Sequence, residues 1–259
     1  MGEDEMIFAY MVGTAGSGKS SLTAAFHDWC IRQEFDAITV NLDPGVMKLP
    51  YSPDVDVREW ISLEETMKEY DLGPNGAQVV CADMLALNAG EVEERIKEFR
   101  ADYVLVDTPG QLELFVFRST GKVIVDRLDR HHSILAFMIE PSLSTTPTNF
   151  VSQLMLSSIT QFRMGVPLVN ILSKVDIVDK DVVSMILGWG RDTEKLYGDL
   201  MVKSPSMYYQ ISEGMMGVIR EMEAHTSMIP VSSETLEGME DFYTAIQNTF
   251  MGGEDLDRE

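Results

Sequence analysis

Residues 7–32, IFAYMVGTAGSGKSSLTAAFHDWCIR, constrain the fold more than any other stretch. An apolar run leads into GTAGSGKS, Gly13 to Ser20, which satisfies G-x-x-x-x-G-K-S/T, and a helical stretch follows. Strand, glycine-rich loop and helix in that order predict a phosphate-binding unit of a parallel α/β sheet. Gly13, Gly16 and Gly18 let the backbone curl until N–H groups, that of Ser17 among them, point inward at phosphate oxygens. The helix beginning near Gly18 adds its positive end. Lys19 is expected to bridge the β- and γ-phosphates, the Ser20 hydroxyl to ligate magnesium, and Ser21 to touch the α-phosphate.

Strand-like and helix-like patterns alternate through the rest of the chain, which predicts a mainly parallel sheet with helices on both faces. Six strands are expected, at 7–12, 37–41, 103–106, 133–139, 168–172 and 228–231, each near-continuously apolar as doubly covered strands are. Helices are expected at 19–32, 63–70, 92–99, 149–164 and 239–250, with Ser62 and Glu65 forming a capping box for the second. From Val175 to Ser227 helical spacing without a strand predicts a helical insertion, about 177–227. Its Met201, Met207, Met215, Met216, Met222 and Met228, with Tyr208 and Tyr209, form either an adaptable partner surface or ordinary core. The reading is one domain over 1–251 and a mobile acidic tail over 252–259.

Forty-two acidic against twenty basic side chains give a formal charge of -22. That field repels nucleic acid and anionic lipid, and no basic run of five opposes it, so neither is an expected direct partner. Cys30 and Cys81 read as small core residues, and the four histidines show no zinc-ligand spacing. The acidic N-terminus carries no secretion or acylation signal, and no apolar run approaches the ~18 residues of a membrane span. A cytoplasmic protein with no membrane segment is expected.

VLVDTPGQLE puts Asp107 at the end of a buried strand, where a carboxylate can hold magnesium through water and the Gly110 N–H can sense a γ-phosphate. Gln111 is a candidate for orienting water; Glu113 either joins it or simply begins the next helix, where acid is favourable. After another buried strand comes Ser173-Lys174-Val175-Asp176. A carboxylate at Asp176 can accept from both N1–H and the 2-amino group of guanine, and adenine offers neither donor. The Lys174 stem can cover the base, and Ser173 stands where such motifs usually carry Asn, which weakens its contact. In PVSS, backbone N–H groups at Val231 and Ser232 are expected near the guanine carbonyl. Together these point to GTP rather than ATP, and Thr14 stands where dimeric nucleotide-switch ATPases carry a lysine.

One motif has no place in that scheme. YDLGPNGAQVV, residues 70–80, sets a Gly-Pro-Asn-Gly turn between two helix-like stretches. Read from its residues alone it is either an ordinary turn or a stiff functional loop: Pro74 fixes one angle, Gly73 and Gly76 permit unusual ones, and Asn75 brings an amide donor and acceptor. With the phosphate loop, NLDPGV at 41–46, GPNGA at 73–77, DTPGQLE, the Ser-Lys-x-Asp variant and PVSS, the chain resembles the GPN-loop GTPases over nearly its whole length. The resemblance is to an archaeal-type homodimeric member. The resemblance implies dimerisation, with each Gly73-Pro74-Asn75 loop entering the partner's site and Asn75 stabilising transition-state charge. It also implies that Asp43 positions or deprotonates the attacking water, although Asp-Pro equally starts a turn. Eukaryotic relatives are associated with RNA polymerase assembly, so a protein-complex partner is implied by resemblance. The expected activity is hydrolysis of GTP to GDP with Mg2+, by a homodimer acting as a conformational switch. An ATP-using P-loop ATPase and a nucleotide-stabilised scaffold without useful hydrolysis are the alternatives.

Overall fold

The computed structural model of the chain describes residues 6–203, 209–221 and 227–251. The expected tail at 252–259 and the methionine-stripe residues Met207, Tyr208 and Met222 lie outside them. Seven strands form one sheet in the order β3-β2-β4-β1-β5-β6-β7. They are β1 Ile7–Gly13, β2 Ala37–Asn41, β3 Val55–Asp56, β4 Tyr103–Asp107, β5 Ser133–Ile139, β6 Leu168–Leu172 and β7 Met228–Pro230. The pairs β1/β4, β2/β4, β2/β3 and β6/β7 are all parallel. Six of the seven coincide with the expected runs; β3 is the addition.

Two compact units divide the chain, Met1–Ala136 with Arg163–Pro167, and Phe137–Phe162 with Leu168–Glu259. In the first unit, every residue of β1, β2 and β4 is buried, which is why their sequences run apolar without alternation. The register sets Met11 and Asn41 on either side of Asp107, so the strands end level and their following loops emerge together. Helix α1, Lys19–Arg32, buries Leu22, Ala25, Phe26 and Cys30. Helix α2, Leu63–Glu69, is capped by the Ser62 hydroxyl, which accepts from the Glu65 N–H.

The Gly-Pro-Asn-Gly segment is not a separate turn. Pro74 is the first residue of a fourteen-residue helix, α3 Pro74–Leu87, capped by Gly73. Proline suits that position because its missing N–H would have had no partner there. Gly73 holds an ordinary extended conformation (φ -72°, ψ 168°), and the left-handed residue of the α2–α3 connection is Asp71 at φ 50°. The chain continues through α4 Ala89–Ile96, a wide turn of π type at Glu113–Phe117, and α5 Thr120–Leu128.

The second unit contains α6 Pro147–Met164 for the most part, β6, α7 Lys180–Arg191, α8 Thr193–Lys203, α9 Tyr209–Glu221, β7 and α10 Met239–Met251. Helices α7 to α9 lie in the stretch read as helical from its spacing, and its described residues contain no strand before β7. The buried Trp189 of α7 packs on Phe150 and donates Nε1–H to Asp199 of α8 at 2.7 Å. Arg220 of α9 pairs with Glu194 and lies over the Tyr197 ring. The methionine stripe divides: Met216 is fully buried and serves as core, whereas Met215 is 37% exposed. No helix among the described residues is long and apolar enough to cross a membrane.

Candidate active site

The carboxyl ends of β2, β4 and β1 bring three loops together in the first unit, the place where open parallel sheets bind ligands. The loop after β1 is the expected phosphate cradle. Gly16 at φ 78° and Gly18 at φ 98° take left-handed conformations that side chains disfavour, and Gly18 caps α1. Lys19 is buried, and its Nζ donates to the carbonyls of Gly13 and Thr14, both at 3.1 Å. Burial pushes the Lys19 amine below its ordinary pKa, and the charges of Asp107 and Asp43 push it back up.

Asp107 ends β4 and is 2% exposed. Its Oδ2 accepts from the Tyr51 hydroxyl at 3.0 Å, while Oδ1 is buried without a hydrogen-bond partner. Burial raises the carboxyl to about 6, against the lowering effects of Ser20, Tyr51 and Lys19. A buried carboxylate oxygen left unmatched, beside the Ser20 hydroxyl and behind a phosphate loop, is the donor set that a hard divalent cation requires. Ser20 and Asp107 therefore fit the magnesium role expected of them. Among the described residues no cluster of three His, Cys, Asp or Glu offers a metal site made of protein ligands alone.

Asp43, just after β2, reaches across to the third loop. Its Oδ2 accepts from the Gly110 N–H at 2.9 Å and its Oδ1 from the Gly45 N–H at 2.8 Å. The Gly110 N–H, expected to sense a γ-phosphate, is thus engaged by the Asp43 carboxylate. Asn41 holds the Asp43 backbone at both its N–H and its carbonyl, and also donates to Asp56. Asp56 grips Arg58, whose Nη1 donates to the Val46 carbonyl at 3.0 Å. This network, which sequence reasoning did not reach, fixes the 43–46 loop at both ends.

A cavity of about 240 Å³ opens here, lined by Asp43, Gly45, Gln78, Ala82, Gly110 and Gln111 among others. Room for a phosphoryl group and several waters is available at that size. Gln111 is exposed at its edge. Glu113 does not line it; it is exposed and opens the Glu113–Phe117 turn, which is the structural alternative. Gln78 also lines the cavity, and no motif marks it. Its Oε1 is buried without a partner, and a Cβ on Gly45 would stand 3.3 Å from Asp43 Oδ1 and 3.6 Å from Gln78 Nε2. Gly45 thus lies close to both polar groups. Gly73, Pro74 and Asn75 are exposed and take no part in the cavity wall.

The residues expected to read a purine belong to the second unit. Ser173 is buried, with its N–H 2.9 Å from the Ile139 carbonyl. Lys174 adopts a left-handed conformation, φ 54° and ψ 39°, and its Nζ lies 3.3 Å from Glu140. Such backbone outliers in non-glycine residues gather at functional loops. Asp176 is exposed in the short turn Val175–Ile177. In the PVSS segment the Val231 N–H is donated to Leu172 at 2.8 Å and that of Ser232 to Glu237 at 3.1 Å. Pro230 and Val231 complete the β6–β7 edge and lie against Gly238, where a Cβ would meet the Pro230 oxygen at 1.9 Å.

Comparison with known proteins agrees with this geometry. Residues 11–252 match the family model described as "Conserved hypothetical ATP binding protein". A GPN-loop GTPase of Pyrococcus abyssi is 33% identical over 235 residues, 90% of this chain and 93% of that protein. GPN-loop GTPase 1 of Dictyostelium discoideum is 26% identical over 91% of this chain, which spans 59% of the relative's length. The crystal structure of a Pyrococcus abyssi GTPase in apo form superposes with a TM-score of 0.86 at 31% identity, covering 95% of this chain and 99% of that one. With its phosphate loop, its Asp43–Gly110 contact and its Gly-Pro-Asn helix start, the chain belongs to the GPN-loop GTPase family.

Proposed function

We propose that the chain hydrolyses GTP to GDP and phosphate in a Mg2+-dependent reaction, as a homodimer whose conformation follows the nucleotide. Family membership supports the GTPase chemistry. The observation that carries the reading is the convergence of Lys19, Asp43, Asp107 and Gly110 at the ends of three adjacent strands. Magnesium held by Ser20 and Asp107 would neutralise charge on the β- and γ-phosphate oxygens. Lys19 exchanges the Gly13 and Thr14 carbonyls for phosphate oxygens, a move that also restores the pKa its burial lowers. A γ-phosphate competes with Asp43 for the Gly110 N–H, so substrate binding frees the carboxylate to take a proton from the attacking water. Gln111, at the cavity edge, orients that water. After phosphate leaves, Gly110 returns to Asp43; this exchange is the switch.

Guanine is read by Asp176. The family model's description favours ATP instead, and nucleotide competition separates the two. Asp176→Asn is expected to weaken GTP binding about 10- to 100-fold, the worth of hydrogen bonds to a charge, and to bring xanthosine triphosphate up to GTP's former place. An unchanged order of GTP, ATP and xanthosine triphosphate in the titration would remove Asp176 from base recognition.

Asn75 works on a second copy. It is exposed at the head of α3 and stands outside the wall formed by Asp43 and Gln78, which supports a role in trans. Asn75→Ala is expected to slow turnover about 10- to 100-fold. Mixed with Lys19→Ala, which cannot cradle phosphate yet offers an intact loop, it regains hydrolysis; mixtures as slow as the separate variants would place Asn75 outside the partner's site.

A further inference from the structure

The connection between β2 and β3 does more than present Asp43. Between Pro50 and Pro53, both of which restrict the backbone, it turns the half-buried Tyr51 toward the end of β4. The Tyr51 hydroxyl donates to Asp107 Oδ2 at 3.0 Å. A carboxylate rotates freely about its terminal bond unless something holds it. Here one oxygen is held by the phenol, and the other, Oδ1, is buried without a partner in hydrogen-bond geometry, while the Ser20 hydroxyl lies close enough to favour the ionised carboxyl. Two oxygens with unequal environments make an oriented ligand: Tyr51 takes one and thereby aims the other.

We propose that Tyr51 is a positioning residue that fixes the Asp107 carboxylate in the rotation its cation site needs, so that Mg2+ retention depends on a side chain that does not touch the ion. This rests on the magnesium-dependent GTPase reading above. Partners that hold metal-binding carboxylates from behind are worth about 10- to 100-fold in metal affinity when removed. The phenol also contributes a neutral donor, so it anchors Asp107 without competing for the cation.

Tyr51→Phe removes one oxygen atom and leaves the ring to fill its space. Release of fluorescent GDP is followed for the wild type and Y51F, first in excess EDTA and then across a Mg2+ series. In EDTA the two are expected to release GDP at the same rate. The Mg2+ concentration for half-maximal GDP retention is expected to rise about 10- to 100-fold in Y51F, and saturating Mg2+ restores most of kcat. A Mg2+ requirement that stays within twofold of wild type overturns the proposal. So does release that is faster to the same degree in EDTA and in Mg2+, which marks a general loosening of the nucleotide site. A wild type whose GDP release ignores Mg2+ removes the underlying reading together with the Tyr51 role, and is told apart from the other outcomes by the wild-type curve alone.

Discussion

Asp43→Asn is expected to cut GTP turnover about 10³-fold while GTP binds at least as tightly as before. The two halves of that result have one cause. In the wild type the Asp43 carboxylate accepts from Gly110 and Gly45 and stands at the cavity where a γ-phosphate would enter. Asparagine keeps one acceptor oxygen, enough for one of the two N–H groups, and loses both the negative charge and the basic site. Removal of an anion from beside an incoming anion favours binding, and removal of the base disfavours water attack. Single-turnover phosphate release and titration with a non-hydrolysable GTP analogue measure the halves separately. Turnover within tenfold of wild type would end the case for Asp43 as the base.

Asp107→Asn should do something less usual: abolish Mg2+-dependent hydrolysis and stabilise the protein without nucleotide. The Asp107 carboxyl is raised by burial from 3.8 to about 6. Below about pH 4 the group is protonated in both folded and unfolded chains, and its contribution to stability is fully present. As pH rises through about 6 the folded chain must carry a buried charge with one oxygen unmatched, and up to about 3 kcal/mol of stability is lost. An amide at this position never ionises and keeps an acceptor for the Tyr51 hydroxyl. Urea unfolding in EDTA at pH 5 and pH 8 is the measurement. The variant is expected to exceed wild type by more at pH 8 than at pH 5; equal differences at the two values would show that burial does not set the behaviour of this carboxyl.

Much of this site was readable from the chain because its parts are local. Strands β2, β5 and β6 begin and end where the expected runs do, since strands covered on both faces read as near-continuous apolar stretches with few polar interruptions. Asp107 and the 13–20 loop follow directly from such strands. What lay hidden arrives by tertiary routes. Strand β3 is two residues long beside Pro53 and Asp54, too short for any periodicity, and the Asp54 carboxylate holds it through the Thr39 N–H and hydroxyl. Tyr51 meets Asp107 across 56 residues, and Gln78 meets the Asp43 loop by the path of α3, with no motif to announce either. The Gly-Pro-Asn-Gly segment misled for a different reason. The residues that favour a turn also favour the first turn of a helix, and only the buried Ala77, Cys81 and Leu85 further on decide between them.

That helix start has a mechanical consequence. Asn75 and Gln78 share a rigid rod, about 4.5 Å apart along its axis. A neighbouring molecule that presses on the tip therefore cannot bend a pliant loop; it displaces the shaft, and with it the amide that flanks Asp43. Touch at the outer end is felt at the cavity wall in the same movement.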